Sequence, residues 1–406
     1  MKLLVLNSGS SSLKYTLFEM TDERVLMSGT VDRIGLQDSC HLFEVNDGPP
    51  VDKNLSINSH GEALDDIFRV IRDSGPIQSL EEIRVIGHRV AHGGRFKDPV
   101  EICPELISEV KRMTPFFPLH HPTMALEIEE CIVRIPHAIH VAVFDMTFHQ
   151  TIPDVAAIYG LPYRYFSEKG YRRTGYHGHS HQYVSIQAAN FLERDLSDLK
   201  LISCHLGNGS SVTAIEGGKS VDTTMGMTAV EGLIMGTRSG DIDPGLIPII
   251  MNEESLTPKD VNDMLYRKSG LLGISGISRD MREITEAALN SNQRSRLALD
   301  AFCYKSKRAI GSMLMIMGGC DALIFTGGIG LNSPVVRAKT LEGTNGLGFS
   351  IDSGLNGGYS GHNIKDVVDI SAEGSRVRIL VIRTFEELMM ARQCLDVAKK
   401  IGKIIE

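Results

Sequence analysis

Two arginines, one aspartate and a row of histidines stand beside glycines in this chain, an arrangement suited to handling anions. Arg89 lies in Gly87-His88-Arg89-Val90-Ala91-His92-Gly93-Gly94, directly after the apolar segment 83–86, which places it at a strand end. Arg238 stands in Gly236-Thr237-Arg238-Ser239-Gly240-Asp241. Arginines in glycine-lined loops can grip a carboxylate or a phosphoryl group through charge-assisted forks. Structural ion pairs with Asp98 or Asp241 are the alternative. Asp145 closes the apolar run Val141-Ala142-Val143-Phe144, where a carboxylate can hold Mg²⁺ through water or orient a nucleophile, or merely cap a turn. The spacing of His177-Gly178-His179-Ser180-His181 departs from the helical zinc pattern, and no cysteine is near. The reading taken is one imidazole donating to a transferring phosphoryl group.

Positioning such groups requires particular elements. The apolar run 3–6 leads into Asn7-Ser8-Gly9-Ser10-Ser11-Ser12 and then the alternating 13–18. Some two hundred residues on, the run 201–205 leads into Leu206-Gly207-Asn208-Gly209-Ser210-Ser211 and the alternating 212–215. Both spell strand, Gly/Ser turn, strand. Their tips can bring backbone N–H groups close to phosphate oxygens, or can simply be tight hairpins. As a matched pair half a chain apart, they predict two related domains facing a cleft. A third cluster, Thr326-Gly327-Gly328-Ile329-Gly330, follows the buried strand 322–325 as a turn, with Ser333 and Pro334 opening a helix. That is a natural anion or nucleotide site. Leu299, Phe302, Ala309, Ile310, Met313, Leu314 and Met317 fall on one helix face before that strand. Thr384 and Glu387 predict a capping box for the last helix, and 354–361 a surface loop. Strands alternating with helices make the class α/β.

Composition narrows the function classes. With 406 residues, 42% apolar and 23% charged, the chain fits two ordinary domains. A net charge of −8 offers nucleic acid no basic footprint. Seven scattered cysteines without a CxxC pair fit a reducing cytoplasm. The first residues turn polar before they could form a signal peptide, and no apolar run reaches ~18 residues, so no membrane role is expected.

These motifs together resemble the acetate kinase family of the actin-like superfamily. The similarity runs from Leu4 through Lys14 to Thr384-Phe385-Glu386-Glu387-Leu388, and takes in the Arg89 and Arg238 segments, Pro118-Leu119-His120, Phe144 to Gln150, Tyr176-His177-Gly178 and His205 to Gly209. The resemblance implies two actin-like domains with a nucleotide cleft between them: residues 1–148, completed by a C-terminal helix at about 384–406, and residues 149–383. It implies in-line transfer from ATP to acetate with Mg²⁺ or Mn²⁺, and a homodimer. Asn7 and Glu386 match metal positions. Arg89, Asp145, His177 and Arg238 match catalytic ones, and His120 and His205 further active-site histidines. Ala91, Leu119, Tyr176 and Ala229 match the substrate pocket. Ser10, Ser12, Lys14, His205, Leu206, Gly207, Asn208, Gly209, Asp280, Met281, Arg282, Gly328, Ile329, Gly330, Leu331 and Asn332 match nucleotide positions.

Departures from the family pattern open alternatives. Ala91 stands for the usual Val and Ala229 for the usual Pro, both removing volume where the substrate methyl would lie. Tyr176 stands for Phe, His179 for Thr, Leu331 for Glu and Phe385 for Asn. The first two changes motivate a propionate-preferring kinase. The last two motivate a catalytically weak nucleotide-binding regulator, and they bear on ATP as the preferred donor. An Hsp70-like chaperone is disfavoured, because no substrate-binding β-domain follows the core.

Overall fold

The structure is a computed structural model, and it describes residues 1–117, 121–359 and 367–403. The chain divides into two compact units, Met1–Thr147 with Phe385–Glu406, and Phe148–Thr384.

The first unit carries strands β1 (Lys2–Ser8), β2 (Ser12–Glu19), β3 (Arg24–Asp32), β4 (Ser39–Val45), β5 (Val51–Leu55), β6 (Ile83–Val90), β7 (Val100–Glu101) and β8 (Ile139–Phe144). They form one sheet in the order β5-β4-β3-β2-β1-β6-β8-β7. Leu3, Leu4, Val5 and Leu6 are all fully buried, because β1 is covered on both faces. The helices His60–Asp73 and His121–Arg134 pack against each other on one side. Ser59 caps the first of them by accepting from the Glu62 N–H. The helix Glu386–Lys400 packs on β1, β6 and β8, and comes so close that a Cβ on Gly87 would lie 2.5 Å from Cys394 Sγ.

The second unit carries β9 (Lys200–Leu206), β10 (Ser210–Glu216), β11 (Lys219–Thr223), β12 (Ala322–Thr326), β13 (Val367–Asp369) and β14 (Arg378–Ile382), ordered β11-β10-β9-β12-β14-β13. The helix Gly178–Leu192 packs on β9, β12 and β14, and the helix Gln293–Met317 on β9 and β10. In the latter, Leu299, Phe302, Ile310, Met313 and Met317 are buried, as their spacing requires.

The two sheets share a plan. In each, a strand pairs antiparallel with its hairpin partner and parallel with a later strand (β1 with β2 and β6, β9 with β10 and β12). A further parallel strand follows, then an antiparallel edge (β8 and β7; β14 and β13). The repeated Gly/Ser hairpin is therefore the visible part of a repeated domain. The hairpins close at Ser8↔Leu13 and Leu206↔Ser210.

Three local expectations need correction. The helix Glu386–Lys400 has Phe385 at its N-cap and no side-chain cap bond, while the Thr384 hydroxyl is buried without a partner. Thr384 lies one residue too early to reach the helix's N–H groups, so there is no capping box. The glycines after β12 form a helical segment, Gly327–Asn332, rather than an open turn; Ser333 and Pro334 then open the helix Pro334–Leu341 as the sequence predicts. Residues Ser353–Gly358 are helical, and Asn356 within them is buried. Among the described residues, no helix is long and apolar enough to cross a membrane.

Candidate active site

In the first unit the chemistry gathers at the C-terminal ends of β6 and β8 and at the tip of β1. Arg89 Nε donates to Asp145 Oδ1 at 2.8 Å, and Nη2 to Oδ2 at 2.5 Å. Arg89 Nη1 donates to Asn7 Oδ1 at 3.0 Å. The ion-pair alternative with Asp98 is replaced by this fork to Asp145, which follows β8 directly and is 2% exposed. Parallel pairing of β6 with β8 places Val90 beside Phe144, so the two residues next to that pair meet across the strand ends. Three of the five guanidinium N–H groups are thus used, and two face outward on a side chain 23% exposed. Burial pulls the guanidinium pKa down, but Asp145, with Glu386 and Glu387 beyond it, more than reverses this and holds Arg89 above its ordinary value.

The oxygen donors here suit a hard divalent cation. The Asn7 amide oxygen and the carboxylates of Asp145 and Glu386 are all hard ligands, and the hydroxyl of Ser8, next to Asn7 in sequence, is buried with no protein partner. Ala91, two residues after Arg89 and directly past β6, is buried; Ser10 and Lys14 are exposed and Ser12 is half-buried at the hairpin. Leu119 and His120 lie outside the described residues.

In the second unit a histidine and an arginine come together at the tip of the β9–β10 hairpin. His177 is the N-cap of the 15-residue helix Gly178–Leu192 and takes a left-handed backbone, φ 59°. The preceding Gly175, φ +70°, makes that turn possible, since a Cβ there would strike the His149 ring at 2.5 Å. His177 Nδ1 bonds Ser211 Oγ at 2.9 Å, and Ser211 also bonds His181, whose other nitrogen bonds Ser203. Burial, with three neighbouring histidines, pushes the His181 pKa down, so it serves as a neutral strut. His205 stacks on His177 at 4.1 Å between ring centroids and bonds Ser180 at 2.7 Å. Within the histidine row, His177 and His181 are thus held by serines, and His177 by ring stacking as well.

Gly209 marks where a ligand would sit. A Cβ at Gly209 would lie 3.2 Å from His177 Nε2 and 3.5 Å from Arg238 Nη1. An imidazole at a helix N-cap and a guanidinium therefore converge on a tip without side chain, a setting that can receive a phosphoryl group. Arg238 Nη1 also donates to the Ala229 carbonyl at 3.2 Å. Asp241 takes no part in holding the guanidinium by any such bond; its carboxylate accepts from the Gly232 N–H. Tyr176 is buried and its hydroxyl donates to the Met227 carbonyl at 2.7 Å.

A cleft of about 860 Å³ opens beside this tip. Gly207, Asn208, Asp280, Met281, Arg282, Gly328, Ile329 and Asn332, all among the residues that the resemblance assigns to nucleotide, line it. Arg279, Thr285, Glu286, Leu289 and residues 333–335 line it too. Thr285 and Leu289 follow Met281 at helical spacing in the helix Met281–Leu289, a signal that could have found them. Ser10, Ser12 and Lys14 of the first unit are not on its wall, nor are five expected residues of the second. His205 and Gly209 belong to the phosphoryl end, whereas Leu206 and Leu331 are buried in the core. Gly330 is also buried, and the Gly330 and Leu331 carbonyls accept from Arg337 Nη1 at 2.8 Å each. Leu331 thus faces away from the cleft, which removes its weight as a sign of lost nucleotide binding. Phe385 packs on Phe18 at 5.7 Å.

Two supports were not legible in the sequence. Arg337, fully buried, also bonds Asn356 Oδ1 at 2.7 Å; burial lowers its pKa to about 10. Under the loop bearing Ala229, Glu231 accepts from Tyr159 and Arg173, and the Tyr159 hydroxyl accepts from the Met227 N–H. Burial raises the pKa of Glu231 against the pull of Arg173.

The model of the acetokinase family matches residues 2–392. Acetate kinase of Halothermothrix orenii is 45% identical over 395 residues, covering 97% of this chain and 98% of that protein. Acetate kinase of Methanosarcina acetivorans is 44% identical, covering 100% and 98%. The crystal structure of Porphyromonas gingivalis acetate kinase superposes with a TM-score of 0.88 at 40% identity, covering 98% and 99%. That of a Francisella tularensis propionate kinase gives 0.89 at 35%, with the same coverage. A match this complete, on a chain whose two sheets share one plan, means that the chain belongs to the acetokinase family.

Proposed function

We propose that this protein is an acetate kinase that transfers the γ-phosphoryl group of ATP to acetate, reversibly and in line. The observation that carries this reading is the convergence of His177 Nε2 and Arg238 Nη1 on the bare tip at Gly209. A carboxylate oxygen attacks the γ-phosphorus as the bond to the β-phosphate bridge oxygen breaks, giving acetyl phosphate and ADP. The two outward N–H groups of Arg89 hold the acceptor carboxylate, and Asp145 fixes the guanidinium plane. His177 and Arg238 receive the charge that builds on the equatorial oxygens. Asn7 and Glu386, with Asp145 nearby, would hold Mg²⁺ or Mn²⁺, which neutralises charge on the β- and γ-phosphates. Adenosine occupies the cleft lined by Asp280 to Arg282.

A propionate-preferring kinase is the second reading, favoured by Ala91 and Ala229. Steady-state kinetics with formate, acetate, propionate and butyrate, against ATP, GTP and pyrophosphate, tests both. Turnover of none of these acids would overturn the assignment.

We also infer a homodimer in the cytoplasm. The helix Leu246–Glu254 reads Leu-Ile-Pro-Ile-Ile-Met yet buries no residue within its own chain, and Leu246 and Ile249 are exposed. A second copy would cover it. All seven cysteines are free, in keeping with a reducing compartment. Light scattering of Ile249→Glu, expected to give a monomer, checks the dimer.

A further inference from the structure

Behind the strand that bears Arg89, three potential metal ligands converge in the interior. His88 on β6, His140 on β8 and Cys131 on the helix His121–Arg134 bring one ligand atom each within 4.8 Å of one another. His88 and Cys131 are fully buried, Glu127 is 1% exposed and His140 8%. None of these residues belongs to the phosphoryl-transfer machinery, and the alternation of β6 turns His88 to the face opposite Arg89.

The outer nitrogens of both rings are already committed. His140 Nε2 lies 2.9 Å from the Ile135 carbonyl, which can only accept, so that nitrogen carries the hydrogen. His88 Nδ1 lies 3.0 Å from Glu127 Oε1. The inner nitrogens, His88 Nε2 and His140 Nδ1, face each other at 2.9 Å. A hydrogen, or a metal ion shared with Cys131, can join two ring nitrogens placed in this way.

We propose that His88, His140 and Cys131 form a buried zinc site, with Glu127 and the Ile135 carbonyl orienting the two imidazoles. Three features fit zinc. Ligating histidines typically hand their second N–H to a carboxylate or a backbone carbonyl, and here one does each. The thiol sulfur converges on the same point, which a shared proton does not require. Charge also balances: the +2 of zinc is cancelled by the Cys131 thiolate and the Glu127 carboxylate, whereas monovalent copper would leave a net negative charge in an apolar interior. Ligand nitrogens at ~2.0–2.1 Å from a tetrahedral ion lie roughly 3.3 Å apart, a small opening from the 2.9 Å observed. Zinc would tie β6 and β8 to the helix behind them, and so steady the two strands whose ends present Arg89 and Asp145. The ion would enter during folding.

The test uses the full chain produced in cells supplied with zinc, then dialysed against a chelator and analysed for metals. About one zinc per chain should remain, and production with Co²⁺ instead should give a thiolate-to-cobalt charge-transfer band. Cys131→Ser should abolish that band. Glu127→Gln, which keeps the shape and removes the charge, should weaken zinc binding by about 10–100-fold. Magnesium-site oxygen ligands cannot produce a thiolate band, so the readout is independent of activity. A wild-type protein that holds no metal and shows no band overturns the site. So does copper in place of zinc, or an imidazole ¹⁵N spectrum showing a proton shared between His88 and His140.

Discussion

Arg89 and Asp145 meet edge to edge, Nε to Oδ1 at 2.8 Å and Nη2 to Oδ2 at 2.5 Å, with Asn7 on the third side of the guanidinium. This leaves two N–H groups in a fixed plane for a second carboxylate. Arg89→Lys keeps the charge beside Asp145 and loses that plane. Turnover should fall by at least about a hundredfold, while a thermal melt moves little. Arg89→Ala should cost as much activity and also about 3 kcal/mol or more of stability, because Asp145 is then buried without its partner cation. Near-normal kcat in the lysine variant would refute the planar-grip assignment.

At the second anion site, Gly209→Ala places a methyl 3.2 Å from His177 Nε2 and 3.5 Å from Arg238 Nη1. The methyl occupies the position assigned to the phosphoryl group, so kcat should fall by about tenfold or more with little change in melting temperature. An unaffected kcat would move the transfer point elsewhere. Arg238→Ala should reduce turnover by about a hundredfold.

Arg337 has no direct contact with the nucleotide cleft, and yet it holds the Gly330 and Leu331 carbonyls beside it. Arg337→Met should raise the KM for ATP more than it lowers kcat. It should also destabilise the fold by about 1–3 kcal/mol for each carbonyl left unsatisfied. Equal effects on KM for acetate and for ATP would argue for general loosening.

Substrate size tests the two alanines. One methylene in an apolar pocket is worth about 1–3 kcal/mol, so kcat/KM for propionate should lie within about tenfold of that for acetate. Ala91→Val with Ala229→Pro should raise the KM for propionate selectively. Since the Tyr176 hydroxyl is bonded to the Met227 carbonyl, Tyr176→Phe should cost about 1 kcal/mol of stability and leave specificity unchanged. Rejection of propionate by the wild type at more than about a hundredfold would sink the enlarged pocket.

Acid sensitivity should come partly from His92 and His121, which stack on the ring of Phe117 at 5.2 and 4.6 Å. Burial, helped by His121, lowers the His92 pKa to about 3, and burial lowers that of His121 to about 4. In the unfolded chain both take up protons near 6.5, so between 6.5 and about 4 the unfolded state holds more protons. Stability is therefore complete above about pH 6.5 and falls as pH drops, by at most about 1.4 kcal/mol per pH unit for each histidine. Urea melts across this range should show that decline, and His121→Gln should flatten it.

The sequence by itself determined the local features. Alternation and Gly/Ser tips specified both hairpins, because period-two burial and side-chain-free turns depend on neighbours in the chain. The repeat of those hairpins announced two domains of one plan, and Ser333-Pro334 marked a helix start. The motif residues Arg89, Asp145, His177 and Arg238 stood out as candidates from type and context. Tertiary structure decided their partners. Arg89 chose Asp145 over Asp98 because parallel register sets β6 beside β8, a pairing no local spacing encodes. Leu331 turned into the core because a helical segment, not an open turn, follows β12. Thr384 lost its capping role by a one-residue offset that packing of Phe385 on Phe18 accompanies. Arg337 with Asn356, and His88 with Cys131 and His140, meet only through contacts distant in sequence, where burial and hydrogen-bond satisfaction select partners that no short-range pattern contains.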